Sequence, residues 1–192
     1  QQDFIKFSHS LISDYRKHHA KINAIKYKSI FWRIEKEFGI PNGVLLAFWA
    51  FETDFGANQG NFNTLNSLLT LAHDCRRPEL FRPQIFAALT LFKKSQFDPL
   101  NTKGAWAGEI GMIQMLPADI IRNGTDGDGD GVIDLQNSVP DTLLTGAKML
   151  STLGWQANAP WLQEILIPKN LDWNKTGLYN SMPVSAWKAM GV

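Results

Sequence analysis

"LAFWAFETDFG", residues 46–56, places one carboxylate, Glu52, in the middle of an aromatic and aliphatic run. The run follows Pro41, which can open a helix at its first turn, and stops at Gly56. A helix that is apolar almost all round is expected to be the central, buried one. On such a helix Phe48 and Trp49 lie one turn before Glu52 and Phe55 one turn after it, so the four share a face. An acid in that setting is desolvated, which raises its pKa, and a carboxyl poised towards neutrality can give a proton and later take it back. The same pattern also fits a glutamate that bonds buried backbone groups or pairs with an arginine, for which Arg76 and Arg77 are the candidates.

Glycosidic chemistry usually needs two carboxylates. Asp54, two residues on, points away from Glu52, and Asp98 precedes a proline in a loop. Glu109 lies among glycines and remains open, whereas the other acids cluster at 126–141. A single acid without a clear partner fits a mechanism in which the substrate supplies the second group.

Helical periodicity continues on both sides of this run. Phe4, Phe7, Leu11, Ile12 and Tyr15 mark an amphipathic helix over 3–19; Tyr27, Ile30, Phe31, Ile34 and Phe38 mark another, closed by Gly39. Thr64 is the expected N-cap of a helix over 65–73. A further helix over 79–94 would turn Leu80, Phe81, Ile85, Phe86, Leu89 and Phe92 to the core. Ser138 with Asp141 three residues on resembles a capping box, opening a helix that ends at Gly154. Residues 155–192 carry Trp155, Trp161, Trp173, Trp187 and several prolines with little periodicity. The expected class is mainly α (α+β), with a small β element in the 130s or 160s.

The chain has 192 residues, 44% hydrophobic and 11% aromatic, which suits one domain with or without a subdomain. A formal net charge of +1 gives no support to nucleic-acid binding, which favours a marked basic excess. The single cysteine, Cys75, excludes an intramolecular disulfide and leaves the compartment open. No apolar run approaches a membrane span. No secretory leader is visible, so the sequence fits either a cytoplasmic protein or one whose leader has been removed.

Two loops carry further chemistry. In "GAWAGEIGMIQMLP", residues 104–117, Gly104, Gly108 and Gly111 allow close approach of a backbone or a ligand. Gln114 offers hydrogen bonds to a sugar and Trp106 a stacking face, although tight helix packing explains the same glycines. In "DGDGDGVID", residues 126–134, Asp126, Asp128, Asp130 and Asp134 stand at positions 1, 3, 5 and 9 of an EF-hand-like calcium loop. Gly131 falls at the sharp turn and Val132 offers its carbonyl at position 7. Position 12 is Asn137 instead of a bidentate glutamate, and Asp141 is the candidate replacement. Asp141 equally fits a simple helix cap.

In order along the chain, "AFWAFETDFGANQGNF", "LLTLAHDCRRPELFR", "GAWAGEIGMIQMLP", "DGDGDGVIDLQNSVPD" and "PVSAWKAMGV" resemble the membrane-bound lytic murein transglycosylase B family. The resemblance spans roughly residues 40–192 and owes little to the first 39. It implies a lysozyme-like fold, with 1–192 as one catalytic domain that lacks the family's C-terminal segment. The implied activity is non-hydrolytic cleavage of the MurNAc-β-1,4-GlcNAc bond of peptidoglycan, leaving 1,6-anhydromuramoyl ends. Glu52 matches the family's single acid/base. Gln114, Trp106, Gly111, Arg76 and Arg77 fall on its substrate-binding blocks. The aspartate loop matches its calcium site, with a structural Ca2+ as the implied cofactor.

The implied partners are peptidoglycan glycan strands and, more loosely, cell-wall synthesis or other lytic enzymes. The implied setting is a periplasmic monomer, soluble or lipid-anchored in its precursor. Three departures stand out. Ala105 replaces a frequent serine, Met115 replaces an aromatic, and the chain stops at Val192 before a Tyr-Asn or Trp-Asn motif of the family. Tyr179–Asn180 precedes the last block and is not that motif. The stop leads to the expectation of a more open cleft, with weaker binding or slower turnover than in a longer form. Two other readings share these residues: a hydrolytic muramidase, and a non-catalytic peptidoglycan-binding protein of the same fold.

Overall fold

The structure, a computed structural model, describes residues 3–192. The chain divides into a larger unit that ends at Ala157 and a smaller one, Asn158–Val192. The larger unit is built of helices α1 (Phe4–Leu11), α2 (Asp14–Lys26), α3 (Lys28–Phe38), α4 (Asn42–Thr53), α5 (Thr64–His73), α6 (Pro78–Lys93), α7 (Pro117–Asn123) and α8 (Val139–Thr152). Packing runs α5 on α6, α6 on α7, α7 on α8 and α8 on α3, while α2 lies on α4. The smaller unit holds a 3-10 turn, Trp173–Lys175, and helix α9 (Val184–Ala189).

The first two helices replace the one expected over 3–19. The Ser13 hydroxyl accepts the Arg16 amide and caps α2, so the chain breaks after Ile12. Neither α1 nor α2 has a buried residue. Phe4 and Ile12, expected in the core, are 78% and 54% exposed. The α3 expectation holds: Phe31 and Ile34 are buried, and Gly39 closes the helix at φ 63°, a left-handed turn that glycine adopts without a Cβ clash.

Around α4 the sequence expectation is only half met. Leu45, Leu46, Trp49, Ala50 and Thr53 are buried, but Phe48 and Phe51 are exposed. An apolar circumference does not ensure burial all round, because α2, α3 and α8 cover only one side. On α6 the buried face is Phe81, Gln84, Ala87, Ala88 and Leu91, leaving Leu80, Phe86, Leu89 and Phe92 exposed. Gln84 is drawn in because its side-chain oxygen accepts the Ala118 amide at the start of α7 (2.9 Å).

Asn63, not Thr64, caps α5: its Oδ1 accepts the Asn66 amide. The strand pair also differs from expectation. Strands β1 (Phe62–Asn63) and β2 (Lys103–Gly104) run antiparallel, and no strand lies in the 130s or 160s. A second small bridge joins Ile110 to Met115 and closes the turn that carries Gln114. The core gathers Ile34, Leu45, Leu68, Leu91, Leu143 and Leu144, all at most 1% exposed. Each contributes roughly 1.5–3 kcal/mol by burial.

Candidate active site

Glu52 stands on the last turn of α4, and the residue after it is firmly held. The buried Thr53 hydroxyl donates to the Met112 carbonyl (2.6 Å) and accepts the Gly56 amide (2.9 Å). That pair of bonds ties the end of α4 to the turn 110–115. Asp54, in the left-handed region at φ 50°, accepts Arg16 Nε at 2.7 Å. Asp54 is therefore a structural acid, in line with its placement away from Glu52.

The Glu52 side chain makes no hydrogen bond or ion pair among the described residues. It is exposed and is not enclosed by Phe48, Trp49 and Phe55 as the helical spacing suggested. Trp49 points into the core, and Phe55 leaves the helix at φ 61°. Partial burial of the carboxyl nevertheless raises its pKa, and the negative charge of Glu109 raises it further. A carboxyl with nothing to stabilise its ionised form, facing a second acid, tends to keep its proton.

The arginine alternative for Glu52 fails on geometry. Arg76 closes a two-point fork on Asp74, Nε to Oδ1 and Nη2 to Oδ2, both 2.9 Å. That contact pulls Asp74 down to about 2. Arg77, the residue before α6, is exposed and has no side-chain bond among the described residues. Both arginines line a pocket of about 370 Å3 with Trp106, Glu109, Phe81 and Leu116. Trp106, 67% exposed, also borders an adjoining groove with Phe62, Asn66, Ser67 and Thr70. Trp106, Arg76 and Arg77 thus meet at one surface, together with the Glu109 whose charge reaches Glu52.

Gln114 adopts φ 52°, and its Nε2 donates to the carbonyls of Gly111 (2.9 Å) and Gln59 (3.2 Å). Two carbonyl acceptors fix the amide orientation and leave its side-chain oxygen as an acceptor only. Gly111 packs against Leu135. It is buried at φ 83°, and a Cβ there would stand 2.5 Å from the Leu135 carbonyl oxygen. Its role is close packing against the acidic loop. Gln59 has no distinct signal in the sequence, only an amide among glycine and asparagine. Its carbonyl receives Gln114, and its Nε2 donates to the Gln136 carbonyl (2.9 Å).

In the acidic loop Asp126, Asp128 and Asp141 each bring a carboxylate oxygen within 4.8 Å of the others. The other loop positions do not join them. Asp130 accepts the Val132 amide, and Asp134 accepts the Gln136 and Asn137 amides. Val132 is half exposed. Asp141 is 1% exposed, and its two oxygens accept the amides of Gly127 (2.7 Å) and Asp134 (2.8 Å). It clamps the two ends of the loop instead of completing a reciprocal capping box, although its own amide does donate to Ser138 Oγ (3.3 Å). Oxygen-only donors this close suit a hard cation such as Ca2+.

Residues 1–192 match the transglycosylase SLT domain over their whole length. The chain belongs to that family. Its mainly helical fold is the lysozyme-like fold of the SLT transglycosylases. Pseudomonas aeruginosa SltB3, seen in complex with NAG-anhNAM-pentapeptide, superposes with a TM-score of 0.89 at 28% identity, over 100% of this chain and 51% of that one. Escherichia coli lytic transglycosylase Slt35, seen in complex with calcium, gives 0.77 at 25% identity over 81% of this chain and 50% of that one. Membrane-bound lytic murein transglycosylase B of Escherichia coli is 29% identical over 150 residues, 73% of this chain and 41% of that protein. The SLT-domain chain therefore spans about half the length of the relatives it matches. No helix among its described residues is long and apolar enough to cross a membrane.

Proposed function

We propose that the chain is the catalytic domain of a peptidoglycan lytic transglycosylase, with Glu52 as its single acid and base. The observation that carries this reading is a partnerless carboxyl whose pKa is raised by burial and by Glu109. Glu109, whose charge reaches Glu52, lines a groove with Trp106 and Arg77. Glu52 first protonates the glycosidic oxygen between MurNAc and GlcNAc as the C1–O bond breaks. The 2-acetamido group of the sugar stabilises the electron-poor C1. Glu52, now a carboxylate, then takes the proton from the C6 hydroxyl while that oxygen bonds C1. The product ends in 1,6-anhydromuramic acid, and Glu52 regains its proton. Trp106 offers a sugar face, Gln114 an acceptor for a hydroxyl, and Arg77 a free cation for a muramoyl or peptide carboxylate.

A hydrolytic muramidase is the second reading, and Glu109 favours it: a second acid near Glu52 can direct a water at C1. Mass spectrometry of products from purified peptidoglycan separates the two. Anhydro ends support the lytic reading, reducing muramic ends overturn it in favour of hydrolysis, and intact glycan that still binds means the fold has lost turnover.

The acidic loop is proposed to hold one structural Ca2+ through Asp126, Asp128 and Asp141, with Asp130, Asp134 and the Val132 carbonyl as further candidates. The ion would neutralise crowded carboxylates and fix the loop on which Gly111 packs. The proposed setting is the periplasm, with peptidoglycan strands as the partner. The domain assignment of 1–192 as one catalytic region belongs to the same proposal.

A further inference from the structure

Helix α2 belongs to the stretch that contributed least to the family resemblance, yet it reaches the residues on both sides of Glu52. Arg16 on α2 donates from Nε to Asp54 Oδ1 at 2.7 Å. Its guanidinium lies 5.5 Å from the centroid of the Phe51 ring, and its Nη1 donates to the Leu11 carbonyl at 2.9 Å. One side chain thus grips the residue before Glu52, the residue two after it and the break between α1 and α2. The pair is mostly shielded, with side-chain exposures of 19% for Arg16 and 30% for Asp54. Shielding strengthens a charge pair of this geometry.

The grip acts where the backbone needs it. Asp54 and Phe55 are consecutive non-glycine residues at positive φ, 50° and 61°, a conformation that persists only when its surroundings hold it. Asn58 Nδ2 donates to the other Asp54 oxygen (3.2 Å), and the Phe55 ring stacks on His19 of α2 at 6.2 Å. From the opposite side, Thr53 is bonded to Met112. Only the Glu52 side chain in this stretch is left unheld among the described residues.

We propose that Arg16, through Asp54 and Phe51, is a positioning residue that aims the Glu52 carboxyl for proton transfer. The inference rests on the lytic reading of Glu52 given above. Misplacement of a catalytic group by about 1 Å costs on the order of 100-fold in rate. A loss of aim reduces turnover without loosening the substrate.

The test measures kcat, KM and melting temperature for release of anhydromuropeptides from soluble peptidoglycan fragments. It compares wild type, Arg16→Ala, Asp54→Asn, the double variant and Arg16→Lys. Each single variant should lower kcat about 10–100-fold with KM nearly unchanged. The double variant should be no worse than the weaker single, and Arg16→Lys should recover part of the loss. Unchanged kcat with a lower melting temperature, or a raised KM at constant kcat, overturns the proposal. If Arg16→Ala does not fold, Asp54→Asn decides in the same terms. A wild type that releases no product would instead overturn the lytic reading. In that event the Glu52 carboxyl 13C resonance still decides: Arg16→Ala should shift and broaden it, and an unchanged line overturns the positioning role.

Discussion

In the loop from Asp126 to Asp141 the acids spend their oxygens on the chain itself. Asp126 accepts the amides of Gly129 and Gly131, which hold its carboxyl below the usual range, and Asp141 accepts two amides across the loop. At the end of α4 the opposite holds. The Glu52 carboxyl accepts nothing among the described residues, and partial burial with the charge of Glu109 raises its pKa. An acid that the fold uses has its charge stabilised by donors. An acid that the fold leaves unsupported holds a proton more tightly than an ordinary carboxyl does and can hand it to a ligand. The two regions are joined at Gly111, buried against Leu135, and at Thr53, bonded to Met112.

The largest effect that would break this contrast is at Glu52. Glu52→Gln should lower peptidoglycan turnover by at least about 10²–10⁴-fold, the usual worth of proton transfer, with an unchanged circular dichroism spectrum. The stability sign is also fixed. A raised carboxyl favours the fold fully below its ordinary value of 4.5 and loses that contribution as pH rises through the folded value. At neutral pH the Gln variant should therefore melt no lower than wild type. A variant that is fully active would remove the acid/base assignment.

In the loop the order of effects should reverse. Asp141→Ala strands the buried amide of Gly127 and the partly buried amide of Asp134, and an unsatisfied buried group costs about 1–3 kcal/mol. A denaturant titration should find the loss, while any turnover that remains should keep its pH profile. Chelation is gentler: an ion present at 100 times its dissociation constant contributes about 2.7 kcal/mol. EDTA should lower the melting temperature, and Ca2+ should restore it. A melting curve indifferent to EDTA would make the loop an acidic turn closed by its own amides.

Much of this contrast was legible in the sequence, because its signals are local. Glu52 in "FETDFG", the glycine stop at Gly39 and the Ser138 cap all follow from adjacent residues. What was not legible depends on tertiary neighbours. The open face of α4, with Phe48 and Phe51, reflects how far α2, α3 and α8 reach. The inward turn of Gln84 depends on Ala118, and the exposure of Phe86 and Phe92 on which face α5 and α7 cover. Even α7 had a local signal, Pro117 at its first turn with Asp119 after it, masked by the glycine block before it. Asp130 and Asp134 occupy the expected loop spacing, yet local amides claim their oxygens, a competition that spacing alone does not rank.

The smallest expected effect is at Glu109. Glu109→Gln removes a like charge that raises Glu52. The high-pH limb of the activity profile, where Glu52 loses the proton it must donate, should move to lower pH. Activity at low pH should change little. No movement would mean that burial alone sets the Glu52 carboxyl.

The most direct test of the unsupported acid is a 13C NMR titration of the Glu52 carboxyl in the unmutated chain, assigned by difference against Glu52→Gln. The account predicts a midpoint above the ordinary 4.5, lower in Glu109→Gln than in wild type. A midpoint at or below 4.5 would show that Glu52 has found a partner for its charge, and would contradict the claim that the fold keeps this proton for the substrate.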